Sequence, residues 1–442
     1  MTAPEVPVAV GMISLGCAKN RVDAEQMLGL LRDAGCRITE NPGDADVLVV
    51  NTCGFIEPAK EESIDALLEA AEYKRKDRCR LLVATGCLVQ RYAEALHAEM
   101  PEVDAFLGIQ ELSRIVPLAM GSVKGVRPVH TDRAPGVFEG PRVLTTLPHT
   151  AFVRTGDGCD NGCAYCAIPL IRGPYRSRAV ANIIEEIAGL AEKGVKEISL
   201  IAQDTTRFGD DLPGRPTLAE LIRGTAAVPG IHWVRALYCY PSRVDDALLD
   251  ALAGEPKACA YLDIPLQHID ADILRGMNRQ GTPEQIRSVI RRARARGIAL
   301  RTTMIVGFPG ETEDAFAGLL DFVSEVRFDR LGAFAYSMEE DTVAAGLPGQ
   351  IPEDVKQARL DRLMGLQQRI SRGLNEERIG TAVEALVDRV DGDTAIARSR
   401  TEAPEGDGVL LLRGRKMPLP GTFVQARITG AGVYDVMGDI IE

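Results

Sequence analysis

The hydrophobic positions in the first 121 residues form short continuous apolar runs separated by longer amphipathic segments. Three of these runs, at 8–15, 47–50 and 81–84, are short enough to be buried strands. Segment 58–75 carries its acidic residues early and its basic residues late, as the helix dipole favours. The pattern predicts an open parallel α/β domain over residues 1–121.

Residues 122–148 are rich in Gly and Pro and are predicted to be a linker or an extended crossing strand. Beyond them, apolar runs alternate with amphipathic segments that have recognisable ends. Helices are expected over 181–193, over 283–297 after Thr282, and over 313–326 after Thr312. The six apolar runs are at 151–155, 197–202, 233–238, 261–267, 300–307 and 330–336. Six strand–helix repeats within 149–377 predict a partial (β/α)6 barrel.

The pattern changes again after a long polar helix predicted over 352–378. Short β-like runs at 382–387, 394–398, 409–412, 422–429 and 433–437 are separated by Gly, Asp and Pro. They predict a small β-barrel over 378–442. Acidic residues outnumber basic ones there, which favours a basic protein partner over RNA. The basic run 413–416 is either a local basic spot or a solvated turn.

The composition of the 442 residues is that of a soluble globular chain, with 45% hydrophobic and 26% charged residues. Neither a signal peptide nor a membrane-spanning run is evident, which predicts a cytoplasmic location. In a reducing compartment, cysteines more often bind metals or catalyse reactions than form disulfides. The net charge of −12 argues against general attraction to nucleic acid.

Three of the ten cysteines lie close together in a Gly-rich loop that follows the first predicted barrel strand. Cys159, Cys163 and Cys166 are separated by three and then two residues, a spacing that lets three thiolates surround one iron–sulfur cubane. A structural zinc ion is the alternative, but it requires four ligands, and the nearest other candidate is His149. The spacing therefore favours an open cluster.

Three further cysteines follow the three apolar runs of the first domain. Cys17, Cys53 and Cys87 are separated by about one strand–helix–strand unit each. Parallel strands would bring them together at the carboxyl edge of the sheet, where ligand sites form. The alternative is that they are ordinary buried thiols. Cys36, Cys79, Cys239 and Cys259 show no such pattern.

The first cysteine motif on the first strand of a partial barrel resembles the radical S-adenosylmethionine (SAM) superfamily. The upstream cysteines and a TRAM-like terminal barrel narrow the resemblance to the methylthiotransferases. Motifs 14–20, 202–206, 264–268 and 336–342 are similar to the RimO-type branch, which acts on an aspartate of ribosomal protein uS12. The tRNA-modifying branch typically has a Gln-Asn pair at Gln203-Asp204 and a Gln-Ser pair at Gln267-His268. A Pro is common in the family where this chain has Ala18.

The resemblance implies two 4Fe-4S clusters, one on Cys159, Cys163 and Cys166 and one on Cys17, Cys53 and Cys87. The radical-generating cluster would bind SAM, whose cleavage by one electron yields methionine and a deoxyadenosyl radical. Abstraction of hydrogen from the aspartate β-carbon would precede attachment of a methylthio group, with a second SAM supplying the methyl.

Other residues are candidates because of the resemblance or because they lie at predicted strand ends. Tyr165, Gln203 and Gly307 are candidate SAM contacts, and Asp204 and His268 are candidate contacts to cofactor or substrate. Each has a structural alternative: a packing aromatic, a polar group at the barrel rim, or a strand-to-helix turn. The expected partners are uS12, free or in the small ribosomal subunit, and an electron donor such as a flavodoxin.

Three other functions remain open from the sequence. A tRNA adenosine methylthiotransferase would perform the same chemistry on a nucleoside, and nucleic acid is not the expected substrate here. A non-enzymatic iron–sulfur carrier or redox sensor would use the clusters without a barrel site. A zinc protein would contain no iron, whereas two 4Fe-4S clusters imply about eight iron atoms per chain.

Overall fold

The computed structural model describes residues 7–121, 127–132 and 137–441. Parts of the predicted linker, 122–126 and 133–136, and the first six residues lie outside this description. Within the described residues, no helix combines the length and apolar character needed to cross a membrane.

The first domain is built on a parallel sheet with the strand order β2-β1-β3-β4-β5-β6. Its strands are β1 (Ala9–Ser14), β2 (Arg37–Thr39), β3 (Val47–Thr52), β4 (Leu81–Gly86), β5 (Ala105–Leu107) and β6 (Val129–His130). Its helices are α1 (Ala18–Asp33), α2 (Glu57–Lys76), α3 (Cys87–Glu99) and α4 (Ile115–Ala119). The predicted parallel α/β domain is confirmed, and β6 comes from the segment predicted as a linker or crossing strand.

Both faces of this sheet are buried, which explains why β3 begins with four consecutive apolar residues, Val47–Val50. Leu48 and Val50 pack in a core with residues of α2 and α3. Val47 and Val49 point to the opposite face and pack with residues of α1 and α4. The sheet is therefore a three-layer structure whose ligand-binding edge lies at the carboxyl ends of the strands.

The middle unit is the predicted partial barrel. Its strands are β7 (Thr150–Arg154), β10 (Glu197–Ile201), β11 (Trp233–Ala236), β12 (Tyr261–Asp263), β13 (Ala299–Val306) and β14 (Arg330–Ala335), and a short antiparallel pair is formed by β8 (Gly156–Asp157) and β9 (Arg176–Ser177). Its helices are α5 (Ile168–Arg172), α6 (Val180–Glu192), α7 (Leu218–Ala226), α8 (Asp246–Gly254), α9 (Ala271–Gly276), α10 (Pro283–Arg294), α11 (Glu313–Val326) and α12 (Glu353–Glu377).

These barrel strands form two parallel sheets, β11-β10-β7 and β12-β13-β14. Backbone hydrogen bonds join the two sheets, including one of 2.9 Å from the Cys239 amide to the Asp263 carbonyl. Local sequence signals place the helix starts correctly: Thr282 forms a capping box at α10, and Thr312 caps α11.

The last unit is a closed barrel with the strand order β15-β16-β17-β19-β18. Its strands are β15 (Ala382–Asp391), β16 (Thr394–Ser399), β17 (Leu410–Arg413), β18 (Phe423–Ala431) and β19 (Val436–Ile441). It docks against the amino-terminal ends of the central strands. There, buried Glu197 lies 2.7 Å from both Arg235 of β11 and Arg398 of β16.

All three units contribute to one apolar cluster inside the central barrel. Phe152 and Trp233 come from the barrel strands, Val22 from α1, and Leu386 and Phe423 from the last unit. The amino-terminal end of the barrel is therefore filled. The carboxyl ends of its strands, which carry the cysteine loop, remain available for a site.

Candidate functional site

The contiguous cysteines, called here the loop trio (Cys159, Cys163 and Cys166), lie in the loop that follows β7 and β8. Gly158 and Gly162 have φ values of +80° and +63°, which L side chains rarely adopt. A Cβ atom on Gly158 would lie 2.1 Å from the carbonyl oxygen of Pro174. The glycines are therefore required for the tight curl of the loop.

Residues of the barrel hold this loop in place. The Asn278 side chain donates a 2.8 Å hydrogen bond to the Gly162 carbonyl. The Ala164 amide donates to the Met277 carbonyl at 2.8 Å. Asn161 donates to the Asp204 carboxylate at 2.8 Å. The loop is fixed from two sides before any cofactor binds.

The thiols of the loop trio are half-buried and close enough to influence one another electrostatically. Burial raises the pKa of Cys159 to about 11 and that of Cys166 to about 12. The Arg279 guanidinium lies 3.6 Å from the Cys163 sulfur. Thiols of this kind become thiolates when a metal replaces their protons.

The dispersed cysteines, called here the edge trio (Cys17, Cys53 and Cys87), follow β1, β3 and β4. These strands are neighbours in the sheet and run parallel, so the three residues meet at one edge. Close packing needs glycine at Gly16, where φ is +87° and an added Cβ would lie 3.1 Å from the Cys53 sulfur. Gly86, before Cys87, also has a positive φ, of +99°.

Asn20 of α1 organises the edge trio. Its side-chain amide donates 2.9 Å hydrogen bonds to the carbonyls of Leu15 and Thr52, one at the end of each neighbouring strand. Its oxygen accepts a contact of 3.5 Å from the Cys87 sulfur. One asparagine thus sets the spacing between the strand ends that carry Cys17 and Cys53.

The edge trio has an uneven electrostatic environment. Burial raises the pKa of Cys53, and it raises that of Cys87 to about 12. At Cys17, burial also acts to raise the pKa, but Lys19 and Arg172 outweigh it and the pKa is lowered. Cys17 is accessible to solvent although protein atoms surround it densely. It is therefore the thiol most readily ionised in this trio.

The surroundings of the cysteines bear on the choice between a zinc ion and a cluster. The thiolates of one tetrahedral zinc, each about 2.3 Å from the metal, lie about 4 Å apart. Within the described ranges, no three Cys, His, Asp or Glu side chains converge to hold one metal ion. His149, the candidate fourth zinc ligand, instead contacts Asp388 at 2.9 Å. Each trio supplies three thiols, which suits an open cluster whose ligands bind different iron atoms.

The predicted SAM contacts have different surroundings. The Gln203 side-chain amide donates to Asp157 at 3.1 Å, while its buried oxygen has no hydrogen-bond partner within the described residues. An orphaned buried acceptor suits a polar ligand. Tyr165 packs against an apolar cluster that includes Phe308. The Gly307 amide is already bound by the Glu311 carboxylate at 2.5 Å. Gln203 thus fits a ligand contact best.

Asp204 and His268 are occupied by structural interactions. Asp204 caps a short turn by accepting from the Thr206 amide, in addition to its bond with Asn161. Fully buried His268 lies 3.1 Å from Glu311 and accepts from the Asp270 amide at 2.9 Å. These protein contacts favour the alternative that Asp204 and His268 are satisfied polar groups at the barrel rim.

Sequence reasoning missed two arginines that contact the thiols. Arg279 lies beside Cys163, and Arg172 lies beside Cys87, each at 3.6 Å from the sulfur. Arg172 follows Cys166 by only six residues, so the sequence could have suggested that it lies near the loop trio. Its contact with Cys87 of the edge trio could not be predicted, because it depends on how the two domains pack.

Comparison with known families agrees with this architecture. Three family models match in succession: the uncharacterized protein family UPF0004 at residues 9–108, the radical SAM superfamily at 153–323 and the TRAM domain at 379–441. The ribosomal protein uS12 methylthiotransferase RimO of Heliobacterium modesticaldum is 49% identical over 438 residues, covering 98% of this chain and 95% of that protein. This chain belongs to the RimO family. The resemblance predicted from its motifs is confirmed.

Other RimO proteins are similar over comparable lengths. That of Desulforamulus reducens is 47% identical and covers 98% of this chain and 100% of the relative. Among solved structures, the radical SAM methyltransferase TsrM from Kitasatospora setae matches with a TM-score of 0.55 and 15% identity. That match covers 88% of this chain and 79% of TsrM. At this identity it supports the fold alone.

Proposed function

We propose that this RimO-family chain is a radical SAM methylthiotransferase that modifies the β-carbon of an aspartate in ribosomal protein uS12. One observation carries the proposal beyond family membership. The loop trio and the edge trio lie in different domains, yet Arg172, six residues after Cys166, contacts the Cys87 sulfur of the edge trio at 3.6 Å. The edge trio therefore packs against the segment that follows the loop trio, an arrangement that supports the proposal that two clusters serve one reaction.

The six cysteines are proposed to hold two 4Fe-4S clusters. Cys159, Cys163 and Cys166 would bind the cluster that, together with SAM, supplies one-electron cleavage and a hydrogen-abstracting radical. Cys17, Cys53 and Cys87 would bind the auxiliary cluster that supplies the sulfur site. Three protein ligands per cluster leave one iron position for SAM or sulfur.

Protein groups would position these cofactors. The Arg279 guanidinium beside Cys163 offsets the negative charge of thiolate ligands, and Arg172 does the same at Cys87. The unpaired Gln203 oxygen is a ready acceptor for the SAM amino group or ribose. Tyr165 and Gly307 remain weaker candidates because their neighbours already engage them.

The proposed partner is uS12, either free or in the small ribosomal subunit. The net charge of −12 favours approach to a basic protein. An electron donor such as a flavodoxin would supply the reducing electron. The proposed location of these encounters is the cytoplasm.

The test is mass spectrometry of ribosomal proteins and tRNA from cells with and without the gene. We expect uS12 to gain the mass of one methylthio group, located on an aspartate, only when the gene is present. Transfer of that mass to tRNA adenosine would instead identify the nucleoside-modifying branch.

Metal analysis and SAM-cleavage assays on the purified protein distinguish the remaining alternatives. Anaerobic reconstitution should yield about eight iron atoms per chain and cleavage of SAM under strong reductant. Iron without SAM cleavage would indicate a carrier or redox sensor, and zinc without iron would exclude the proposed chemistry.

A further inference from the structure

Arg172 is the last residue of α5 and belongs to the central barrel, but its guanidinium lies at the boundary with the first domain. Only 2% of its side chain is exposed. On the barrel side it contacts Asp157 at 3.1 Å. On the other side it contacts Asp23 at 2.7 Å, Asn20 at 3.3 Å and the Cys87 sulfur at 3.6 Å. One planar group thus connects two domains.

The chain of contacts extends to the proposed SAM contact. Asp157 accepts from Arg172 and also from the Gln203 amide, at 3.1 Å in each case. A continuous path therefore runs from Gln203 through Asp157 and Arg172 to Cys87. Its members are side chains with fixed partners, so a displacement at one end changes the geometry at the other.

The arginines and carboxylates that pair with one another in this boundary are equal in number before a cluster is considered. Arg154 pairs with Asp23 at 2.5 Å, so two arginines face the carboxylates Asp23 and Asp157. A buried arginine with several well-placed acceptors retains its charge and its orientation. The contact with Cys87 is therefore an addition to a complete ion-pair network, and it points a cation toward the edge trio.

We propose that Arg172 is a positioning residue that holds the edge trio in register with the SAM side of the site, by joining Cys87 to Asp157. This inference rests on the proposed function. A donor to a ligating sulfur also stabilises the reduced form of an iron–sulfur cluster, because hydrogen bonds and nearby positive charge raise its reduction potential. Arg172 therefore sets both the placement and the potential of the auxiliary cluster.

The test compares two substitutions of Arg172 with the same substitutions of Arg142. Arg142 is a matched control: it is also buried at the domain boundary and pairs with Glu25 of α1 and Glu186 of α6, but it contacts neither trio. Arg172→Lys keeps the positive charge, but a single ammonium group cannot contact Asp157 and Cys87 together. Arg172→Gln removes the charge as well.

The full-length proteins are reconstituted with iron and sulfide, and the potentials of both clusters are measured by titration followed with electron paramagnetic resonance. Methylthiolated uS12 is measured per SAM cleaved. We expect Arg172→Lys to lower this ratio about tenfold. Arg172→Gln should also shift the auxiliary potential to a more negative value. Arg142→Lys and Arg142→Gln should change neither quantity.

An unchanged ratio and potential in both Arg172 variants would overturn the inference, as would equal changes in the Arg142 variants. Should Arg172→Gln fail to fold, Arg172→Lys still decides the question through the ratio. A wild-type protein with one cluster, or one that leaves uS12 unmodified, would overturn the proposed function itself. Two clusters and normal wild-type activity with unaffected variants would reject only the role of Arg172.

Discussion

The loop trio and the edge trio use the same ligand set but are assembled differently. The loop trio lies within eight consecutive residues, and its curl is set by local glycines with positive φ. The edge trio spans 71 positions, and its members meet only because β1, β3 and β4 are adjacent parallel strands. One site is encoded by local sequence, and the other by the topology of a domain.

This difference indicates which kinds of substitution should disrupt each site. The loop trio depends on a few contacts to neighbouring loops, such as those from Asn278 and Met277. The edge trio depends on a sheet with two buried faces and on Asn20 between its strand ends. Local changes should damage the first site, whereas changes in strand spacing should damage the second.

The largest expected effect is at the loop trio. Cys163→Ala should abolish both SAM cleavage and methylthio transfer, because the radical-generating cluster loses one of three ligands. Iron content should fall from about eight to about four atoms per chain. Retention of SAM cleavage at the wild-type rate would contradict the assignment.

Cys53→Ala should distinguish the functions of the two trios. We expect loss of methylthio transfer with part of the SAM cleavage retained, and again a loss of about four of about eight iron atoms. Cys79→Ala is the matched control, since this cysteine is buried in the same domain but lies outside the trio. Loss of iron from the control, or a Cys53 variant with full transfer activity, would remove Cys53 from the site.

A third prediction concerns stability far from both trios. Burial opposes ionisation of Glu402, but Arg378 and Arg330 outweigh it and lower its pKa from 4.5 to about 2. The ionised form therefore contributes about 3 kcal/mol to the free energy of unfolding above pH 5, and this contribution is lost as pH falls toward 2. Urea denaturation at several pH values should show this loss, and Glu402→Gln should remove that share of the pH dependence. If the unfolding free energy of Glu402→Gln depended on pH as that of the wild type does, the assignment would be contradicted.

The smallest effects should come from the two asparagines. Asn278→Ala places alanine at a φ of +50° and removes the bond to Gly162, at a cost of about 1–2 kcal/mol. We expect faster iron loss from the loop trio alone. Asn278→Gly separates the strain from the lost hydrogen bond.

Asn20→Ala is the counterpart at the edge trio. The variant loses the hydrogen bonds to Leu15 and Thr52 and the contacts to Arg172 and Cys87. This loss should cost about 2 kcal/mol or more and release iron from the auxiliary cluster first. Time-resolved chelation of iron, followed by electron paramagnetic resonance, would identify which cluster is lost. Release of both clusters at the same rate in each variant would show that the trios are not independent.

The sequence predicted the regular parts of the molecule because they follow from periodicity and from end signals such as Thr282 and Thr312. The pairing of β6 was not evident, since Val129 and His130 lie in a Gly- and Pro-rich segment and gain a strand only by joining β5. The role of Arg172 was hidden for another reason. A buried arginine and a solvated one look alike in sequence, and only the packing of two domains distinguishes them.

The apolar cluster inside the central barrel has a consequence for how this chain can be divided. Val22, Trp233 and Leu386 are fully or almost fully buried there, yet each belongs to a different unit. Removing either flanking unit would expose hydrophobic surface that the remaining chain has no means of covering. The three units are therefore expected to be stable only when they are expressed together, and a truncated version is expected to aggregate.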